Sequence, residues 1–135
     1  WDILHNSNLR GPFLISSFLK ETISKNNGTI INITDAMVIR GMKDYSIYSA
    51  AKGGLETLTK SLARDLAPNI TVNGVAPGAI LLPSDGSANE DLLLSKIPLG
   101  RLGTEADIAS AVYYLSKNKY ITGQILRVDG GRSLD

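Results

Sequence analysis

Three residues whose side chains handle protons lie close together in the sequence. Asp35 follows an apolar run, and Tyr48 and Lys52 are four residues apart in a segment with helical periodicity. Residues four apart lie on the same face of a helix, so the phenol and the ammonium are neighbours there. Because a nearby cation favours the phenolate, Lys52 is expected to lower the pKa of Tyr48 toward the range that a general acid needs. Together the three side chains predict a proton-transfer site.

The residues around this trio alternate between helical and strand patterns. Residues 1–25 carry apolar side chains at helical spacings, and residues 29–34 form a nearly continuous run of β-branched and apolar residues. A loop over residues 35–45 leads to a helix over about residues 46–66. The first helix is predicted to be largely buried, and the strand to be covered on both faces, as in a parallel sheet.

The second half of the chain continues this alternation. Strands are predicted over residues 70–76 and 124–128, and a capping box of Thr104 with Asp107 predicts the start of the helix between them. The loop over about residues 79–99 follows a strand, where α/β folds commonly bind ligands, so it is a candidate substrate loop. The whole pattern predicts an α/β fold with a parallel sheet and right-handed crossovers.

A proline interrupts the first helical pattern. Pro12 has no N–H group to bond the backbone carbonyl of Asn8, four residues earlier. That carbonyl is therefore free to face another group, such as water. On its own, the segment predicts a kinked core helix.

Composition excludes several classes of function. The 135 residues are 43% hydrophobic and 20% charged with a net charge of +1, which fits a globular domain and offers no basic field for nucleic acid. No apolar run approaches the roughly 20 residues that span a bilayer, and no metal-ligand spacing occurs. The lack of cysteine fits a reducing cytoplasm. Since the chain opens at Trp1 within a helical pattern and predicts only three strands, we expect a fragment of a larger domain.

Several short motifs together resemble the short-chain dehydrogenase/reductase family. They are Tyr48-x-x-x-Lys52 at a helix start, Asn8 in the preceding helix, Val-Asn-Gly-Val-Ala-Pro-Gly at residues 72–78 and Val-Asp-Gly-Gly at residues 128–131. The resemblance implies a Rossmann-like doubly wound parallel sheet, of which residues 1–135 would be the C-terminal portion. The Gly-rich dinucleotide loop of the family would lie upstream.

The resemblance also implies a role for each matching residue. Tyr48 would donate a proton to the substrate, and Lys52 would lower the pKa of Tyr48 and hydrogen-bond the nicotinamide ribose. The main-chain carbonyl of Asn8 would hold a water that reaches Lys52. Four residues would line the nicotinamide end of the cofactor: Pro77, Gly78, Ala79 and Ile80. By the same resemblance, the parent protein would be a homotetramer.

One position departs from the family pattern. Where most members have a serine that hydrogen-bonds a substrate carbonyl, this chain has Asp35. A carboxylate there repels an oxyanion but suits the ring nitrogen and amino groups of a heterocycle. The substitution resembles the pteridine reductase branch, as do residues 32–37, residues 77–81 followed by Pro83 and Asp85-Gly86, and residues 128–134. This implies hydride transfer from NADPH to a C=N bond of a pterin, with protons relayed by Asp35 and Tyr48.

Two other functions stay open at this point. The same fold could reduce a carbonyl substrate, such as a 3-oxoacyl thioester or a sugar ketone. A nucleotide-sensing or oligomerisation module without turnover is an alternative of another class, which the intact trio of Asp35, Tyr48 and Lys52 disfavours.

Overall fold

Helices and parallel strands alternate along the chain in the computed structural model, which describes residues 1–82 and 89–134. The strands are hydrogen-bonded in the order β1-β2-β3, and both pairs are parallel. The predicted α/β fold is therefore confirmed, with strand and helix bounds within a residue or so of those expected. The elements are α1 (Asp2–His5), α2 (Gly11–Lys25), β1 (Thr29–Ile33), α3 (Ser46–Asp65), β2 (Thr71–Pro77), α4 (Glu90–Leu94), α5 (Glu105–Lys117) and β3 (Ile125–Val128).

The central strand β2 carries the core. All its residues except Pro77 are buried, because helices cover both of its faces. Val72 packs with Leu62 of α3 on one face, and Val75 packs with Leu115 of α5 on the other. Residues three apart in a strand point to opposite faces, so the two clusters lie on opposite sides of the sheet, as in a doubly wound fold.

The prediction that the first strand is covered on both faces is wrong. Of the five residues of β1 only Asn32 is buried, and Ile33 is 44% exposed. The reason is its place in the sheet: β1 pairs only with β2 among the described residues, so it is an edge strand here. Apolar composition predicts what a strand prefers to contact, but not which neighbours it has.

The first helical segment also differs from its prediction. It is helical from Asp2 to Lys25, but Asn6–Arg10 forms a π-helical turn in which the Gly11 N–H donates to the Asn6 carbonyl. Such a widened turn accommodates the missing N–H group of Pro12, and the kink expected there stays a prediction. The helix is not largely buried either. Only Ser16 of α2 is buried, while its large apolar side chains are exposed: Phe13, Leu14, Ile15, Phe18 and Leu19.

The predicted substrate loop contains a short helix. The apolar run Leu92–Leu94 falls within α4, whose first turn is capped by the Asn89 side chain, which accepts from the Leu92 N–H at 3.0 Å. Pro83 and Asp85-Gly86 lie outside the described residues. Among the residues that are described, no helix is both long and apolar enough to cross a membrane.

Candidate active site

Asp35 occupies the point where β1 ends and a short turn begins. Its backbone is extended, and its Oδ1 accepts a hydrogen bond from the Met37 N–H at 2.8 Å, which caps the 3-10 turn Ala36–Ile39. An aspartate is well suited to this position because its short side chain reaches the backbone two residues on. One carboxylate oxygen is thereby fixed, and the other is left for a second partner.

That second partner is the phenol of Tyr48, in the first turn of α3. The Tyr48 hydroxyl donates to Asp35 Oδ2 at 3.0 Å. The loop between them returns the chain to the same edge of the sheet, so residues 13 apart in sequence form a direct contact. The structure thus brings together two of the predicted catalytic residues.

The environment of Tyr48 raises its pKa, contrary to the expectation from the sequence. Burial is the largest cause, and the charge of Asp35 and the hydrogen bond to it act in the same direction, raising the pKa to about 12. A carboxylate beside a phenol stabilises the protonated form. The prediction from sequence considered the effect of Lys52, one helical turn away, on the pKa of Tyr48. It did not consider the effect of Asp35, which contacts the phenol directly. Tyr48 is therefore held in its protonated form in the arrangement observed here.

Lys52 lies one turn further along α3. Its Nζ donates to the Ile33 carbonyl at 2.8 Å and lies 6.0 Å from the centroid of the Tyr48 ring. Burial lowers the pKa of Lys52, and the charge of Asp35 opposes that shift. An ammonium has three N–H donors, so the bond to β1 leaves donors for a ligand such as a ribose hydroxyl.

Asn8 and Lys52 line one cavity of about 350 Å³ under the first helical segment. The Asn8 side chain is turned back along its own helix, where its Nδ2 donates to the Leu4 carbonyl and to Ser7 Oγ, both at 3.0 Å. A cavity of this size whose lining includes polar groups has room for water. The predicted water relay from the Asn8 carbonyl to Lys52 stays a prediction.

The predicted cofactor residues lie at the carboxyl end of β2. Pro77 ends the strand, the Gly78 N–H donates to the Val128 carbonyl at 2.9 Å, and the Ala79 carbonyl accepts from the Gly103 N–H at 2.9 Å. A Cβ on Gly78 would lie 2.6 Å from the Cα of Asp129, so only glycine fits this close approach.

A cavity of about 570 Å³ runs along this segment. Its wall is largely apolar, and it is lined by Gly78, Ala79, Ile80, Leu81, Leu82, Asn89, Leu92, Leu93, Lys96 and Arg132. An apolar wall, with the spare donors of Lys52 at the same edge of the sheet, fits the nicotinamide end of a dinucleotide. Pro77 itself does not line this cavity.

Sequence reasoning missed an ion pair that ties three elements together behind the site. Arg127 of β3 lies 3.3 Å from Glu56 of α3, and Thr34 at the end of β1 donates to the same carboxylate at 3.5 Å. Both charged side chains are mostly buried. A charged residue within the apolar strand Ile125–Val128 was the available signal. The pair fixes α3 one turn beyond Lys52 and therefore helps to position the lysine.

Residues 1–82 and 89–134 contain no group of three metal-ligating His, Asp or Glu side chains. The titratable side chains that the structure gathers at this site are the carboxylate, the phenol and the ammonium described above.

Known proteins of similar sequence are named as reductases. A family model described as Enoyl-(Acyl carrier protein) reductase matches residues 1–133. The chain is 39% identical to 3-oxoacyl-[acyl-carrier-protein] reductase of Bos taurus and 41% identical to Carbonyl reductase family member 4 of Danio rerio. These matches cover 97% and 98% of this chain but only 56% of each relative. The chain thus spans little more than half the length of these relatives.

Solved structures extend the likeness to the fold. An apo SCOR enzyme from Clostridium thermocellum aligns with a TM-score of 0.90 at 34% identity, over 99% of this chain and 54% of that one. A structure described as ElxO with NADP bound aligns with a TM-score of 0.84 at 32% identity, over 95% of this chain and 56% of that one. Because the family model matches residues 1–133 of this chain, the chain belongs to the short-chain dehydrogenase/reductase family.

Proposed function

We propose that the whole protein is an NAD(P)H-dependent reductase that acts on the carbonyl group of a 3-oxoacyl thioester. The observation that carries this proposal is the contact of Tyr48 with Asp35, beside Lys52, at the sheet edge that also carries Gly78–Ile80. The names of the matched relatives support the thioester substrate. None of the relatives described above is named as a pteridine reductase, so reduction of a pterin becomes the second candidate function.

Each residue of the trio has a distinct part in the proposed reaction. A reduced nicotinamide, when bound, supplies a hydride. Tyr48 donates its phenolic proton to the substrate oxygen, which becomes the hydroxyl of the product. For this, its hydroxyl turns from Asp35 Oδ2 toward the substrate. Lys52 holds a ribose hydroxyl with its spare donors, and its positive charge stabilises the phenolate that Tyr48 becomes.

Asp35 makes the timing of the proton transfer important. A carboxylate next to the substrate oxygen disfavours a full negative charge on that oxygen. The proton of Tyr48 therefore has to arrive as the hydride adds, before an alkoxide develops. A high pKa for Tyr48 in the resting state keeps that proton in place until the substrate displaces the contact with Asp35.

Asp35 is also the specific observation that favours a pterin as second candidate. The amino and ring N–H groups of a dihydropterin are donors, and a carboxylate accepts them. In that reaction a C=N bond is reduced and the proton from Tyr48 goes to the ring nitrogen.

A substrate panel on the whole protein separates the two candidates. NADPH and NADH oxidation would be followed with a 3-oxoacyl thioester and with dihydrobiopterin at equal concentrations. We expect turnover with the thioester and a higher kcat/KM than with the pterin. Turnover of dihydrobiopterin alone would replace the proposed substrate by the second candidate. Oxidation of neither dinucleotide with any substrate would contradict the reductase assignment and favour a module without turnover.

We further propose that the whole protein is a homotetramer. The exposed apolar side chains of α2, Phe13 and Phe18 among them, form a face that water disfavours. Light scattering coupled to size-exclusion chromatography measures the mass directly, and a monomeric mass would contradict the proposal.

A further inference from the structure

Four basic side chains line one cavity beside the candidate site. The cavity has a volume of about 510 Å³ and is lined by Met37, Arg40, Gly41, Lys43, Lys96 and Arg132. The whole chain is nearly neutral, with 14 Lys and Arg against 13 Asp and Glu. No acidic side chain is among these lining residues, so positive charge is concentrated here.

The four cations converge from three separate segments. Arg40 and Lys43 belong to the loop between Asp35 and α3, and Lys96 follows α4. Arg132 begins a 3-10 turn, Arg132–Leu134, which packs against the turn that Asp35 caps. In the described part of the chain, neither ion pair involves any of them.

Asp129, three residues before Arg132, is engaged elsewhere. Asp129 accepts from the Gly131 N–H at 3.0 Å and from the Ser133 N–H at 2.8 Å, one bond to each carboxylate oxygen. Like charges held together repel one another, and an anion between them removes that repulsion.

The basic cavity adjoins the candidate active site on two sides. Lys96 and Arg132 also line the cavity along Gly78–Ile80, and Met37 is the residue whose N–H binds Asp35. A ligand with its reactive group at Tyr48 would therefore extend toward these cations.

We infer that this cavity binds a phosphate group on the substrate, away from the carbon that is reduced. The inference rests on the proposed function, since the reacting carbon lies at Tyr48. The planar fork of arginine suits two oxygens of a phosphate, and lysine adds a mobile point charge. Thioesters of coenzyme A carry phosphates on the carrier, whereas thioesters of N-acetylcysteamine carry none.

A binding experiment tests the site without relying on turnover. Inorganic pyrophosphate would be titrated by calorimetry into the whole protein saturated with NADPH, which keeps the dinucleotide site filled. The test variant is Arg40→Gln/Lys43→Gln, since both side chains are exposed in a loop. The control is Lys60→Gln/Arg64→Gln, which removes the same charge from exposed positions of α3.

We expect the test variant to bind pyrophosphate at least about tenfold more weakly than the wild type, because two charge-assisted contacts are lost. The control should match the wild type, and added salt should weaken wild-type binding. Undetectable wild-type binding, or equal affinity in wild type and test variant, overturns the inference.

Turnover then shows whether the phosphate belongs to the substrate. With the same 3-oxoacyl group on coenzyme A and on N-acetylcysteamine, Arg40→Gln/Lys43→Gln should lower kcat/KM about tenfold or more for the first thioester only. Equal losses for both, or none, overturn the assignment to the substrate. If the wild type reduces neither thioester, the proposed function fails, and the pyrophosphate titration alone decides whether the anion site exists.

Discussion

The segments that follow β1 and β2 leave the same edge of the sheet but are built in opposite ways. After β1, side chains make the contacts: Asp35 accepts from Met37 and from Tyr48. After β2, the backbone makes them, since Gly78 packs closely on Asp129 and Ala79 is held by hydrogen bonding to Gly103. The first, residues 34–52, therefore supplies reactive groups and is called the polar segment. The second, residues 78–82, supplies a smooth wall with few polar side chains and is called the wall segment.

Removing the ammonium of Lys52 should strongly reduce turnover. Lys52→Met keeps the length of the side chain but loses the bond to the Ile33 carbonyl and the charge near Tyr48. In the whole protein we expect kcat/KM to fall about 100-fold or more, as when a group that supports proton transfer is removed. Steady-state kinetics would be compared with Lys60→Met, an exposed position of α3. A loss no larger than that of Lys60→Met would contradict the role of Lys52.

Adding a methyl group at Gly78 should lower the stability of the protein. Gly78→Ala places a Cβ 2.6 Å from the Asp129 Cα, so the backbone of one of them has to move. We expect the free energy of unfolding to fall by about 2 kcal/mol, as overpacking does elsewhere. Gly53→Ala is the matched control, because its Cβ meets nothing within 4 Å and a helical alanine is favoured over glycine. Urea denaturation giving the same result for both would show that the close approach is not needed.

The contact between Asp35 and Tyr48 can be tested by its effect on titration. Asp35→Asn removes the charge that helps to raise the pKa of Tyr48 to about 12. The pKa should fall toward 10 without reaching it, because burial, the largest cause, remains. Near-ultraviolet absorbance against pH, with Tyr48→Phe subtracted, measures this value. An unchanged pKa would mean that the carboxylate does not act on the phenol.

The raised pKa also has a consequence for stability against pH. A phenol whose pKa is higher in the folded state adds stability that is full below its unfolded value near 10 and is lost as pH rises toward 12. In Asp35→Asn this contribution to stability should be lost at a lower pH, because the pKa of Tyr48 in the folded state is lower. Thermal unfolding across alkaline pH would detect the difference.

The smallest expected effect concerns the N-terminal cap of α5. This cap adjoins Gly103, whose N–H donates to the Ala79 carbonyl of the wall segment. Thr104 caps this helix next to Gly103, and Thr104 and Asp107 bond each other's backbone N–H groups. Thr104→Ala should cost about 1 kcal/mol of stability. Ser61→Ala, at an exposed position within α3, should cost less, and an equal cost would remove the capping box as a stabilising feature.

In and beside both segments, the features that neighbouring residues determine were predictable from sequence. Local spacing places Tyr48 and Lys52 on one helical face, and the Thr104–Asp107 box depends only on neighbouring residues, so both were found. The direction of the Tyr48 pKa shift was missed because its causes, burial first and then the contact with Asp35, depend on the path of a loop that the sequence does not show. Long-range convergence explains the other omissions, such as the pair of Glu56 with Arg127.

Exposure was the hardest property to predict. The apolar residues of α2 and β1 fit a buried pattern, yet Phe18 is 83% exposed and Ile33 is 44% exposed. Periodicity reports which face of an element is apolar, whereas burial depends on what packs against it. The basic cavity was not predicted, because its four cations are far apart in the sequence and only the fold brings them together.

One comparison of three proteins tests the proton-donor role of Tyr48. NADPH oxidation with a 3-oxoacyl thioester would be measured for the whole protein, for Tyr48→Phe and for Tyr45→Phe, which alters an exposed tyrosine three residues earlier. We expect Tyr48→Phe to abolish turnover and Tyr45→Phe to keep the wild-type rate. Turnover of Tyr48→Phe at the rate of Tyr45→Phe would contradict the proton-donor role.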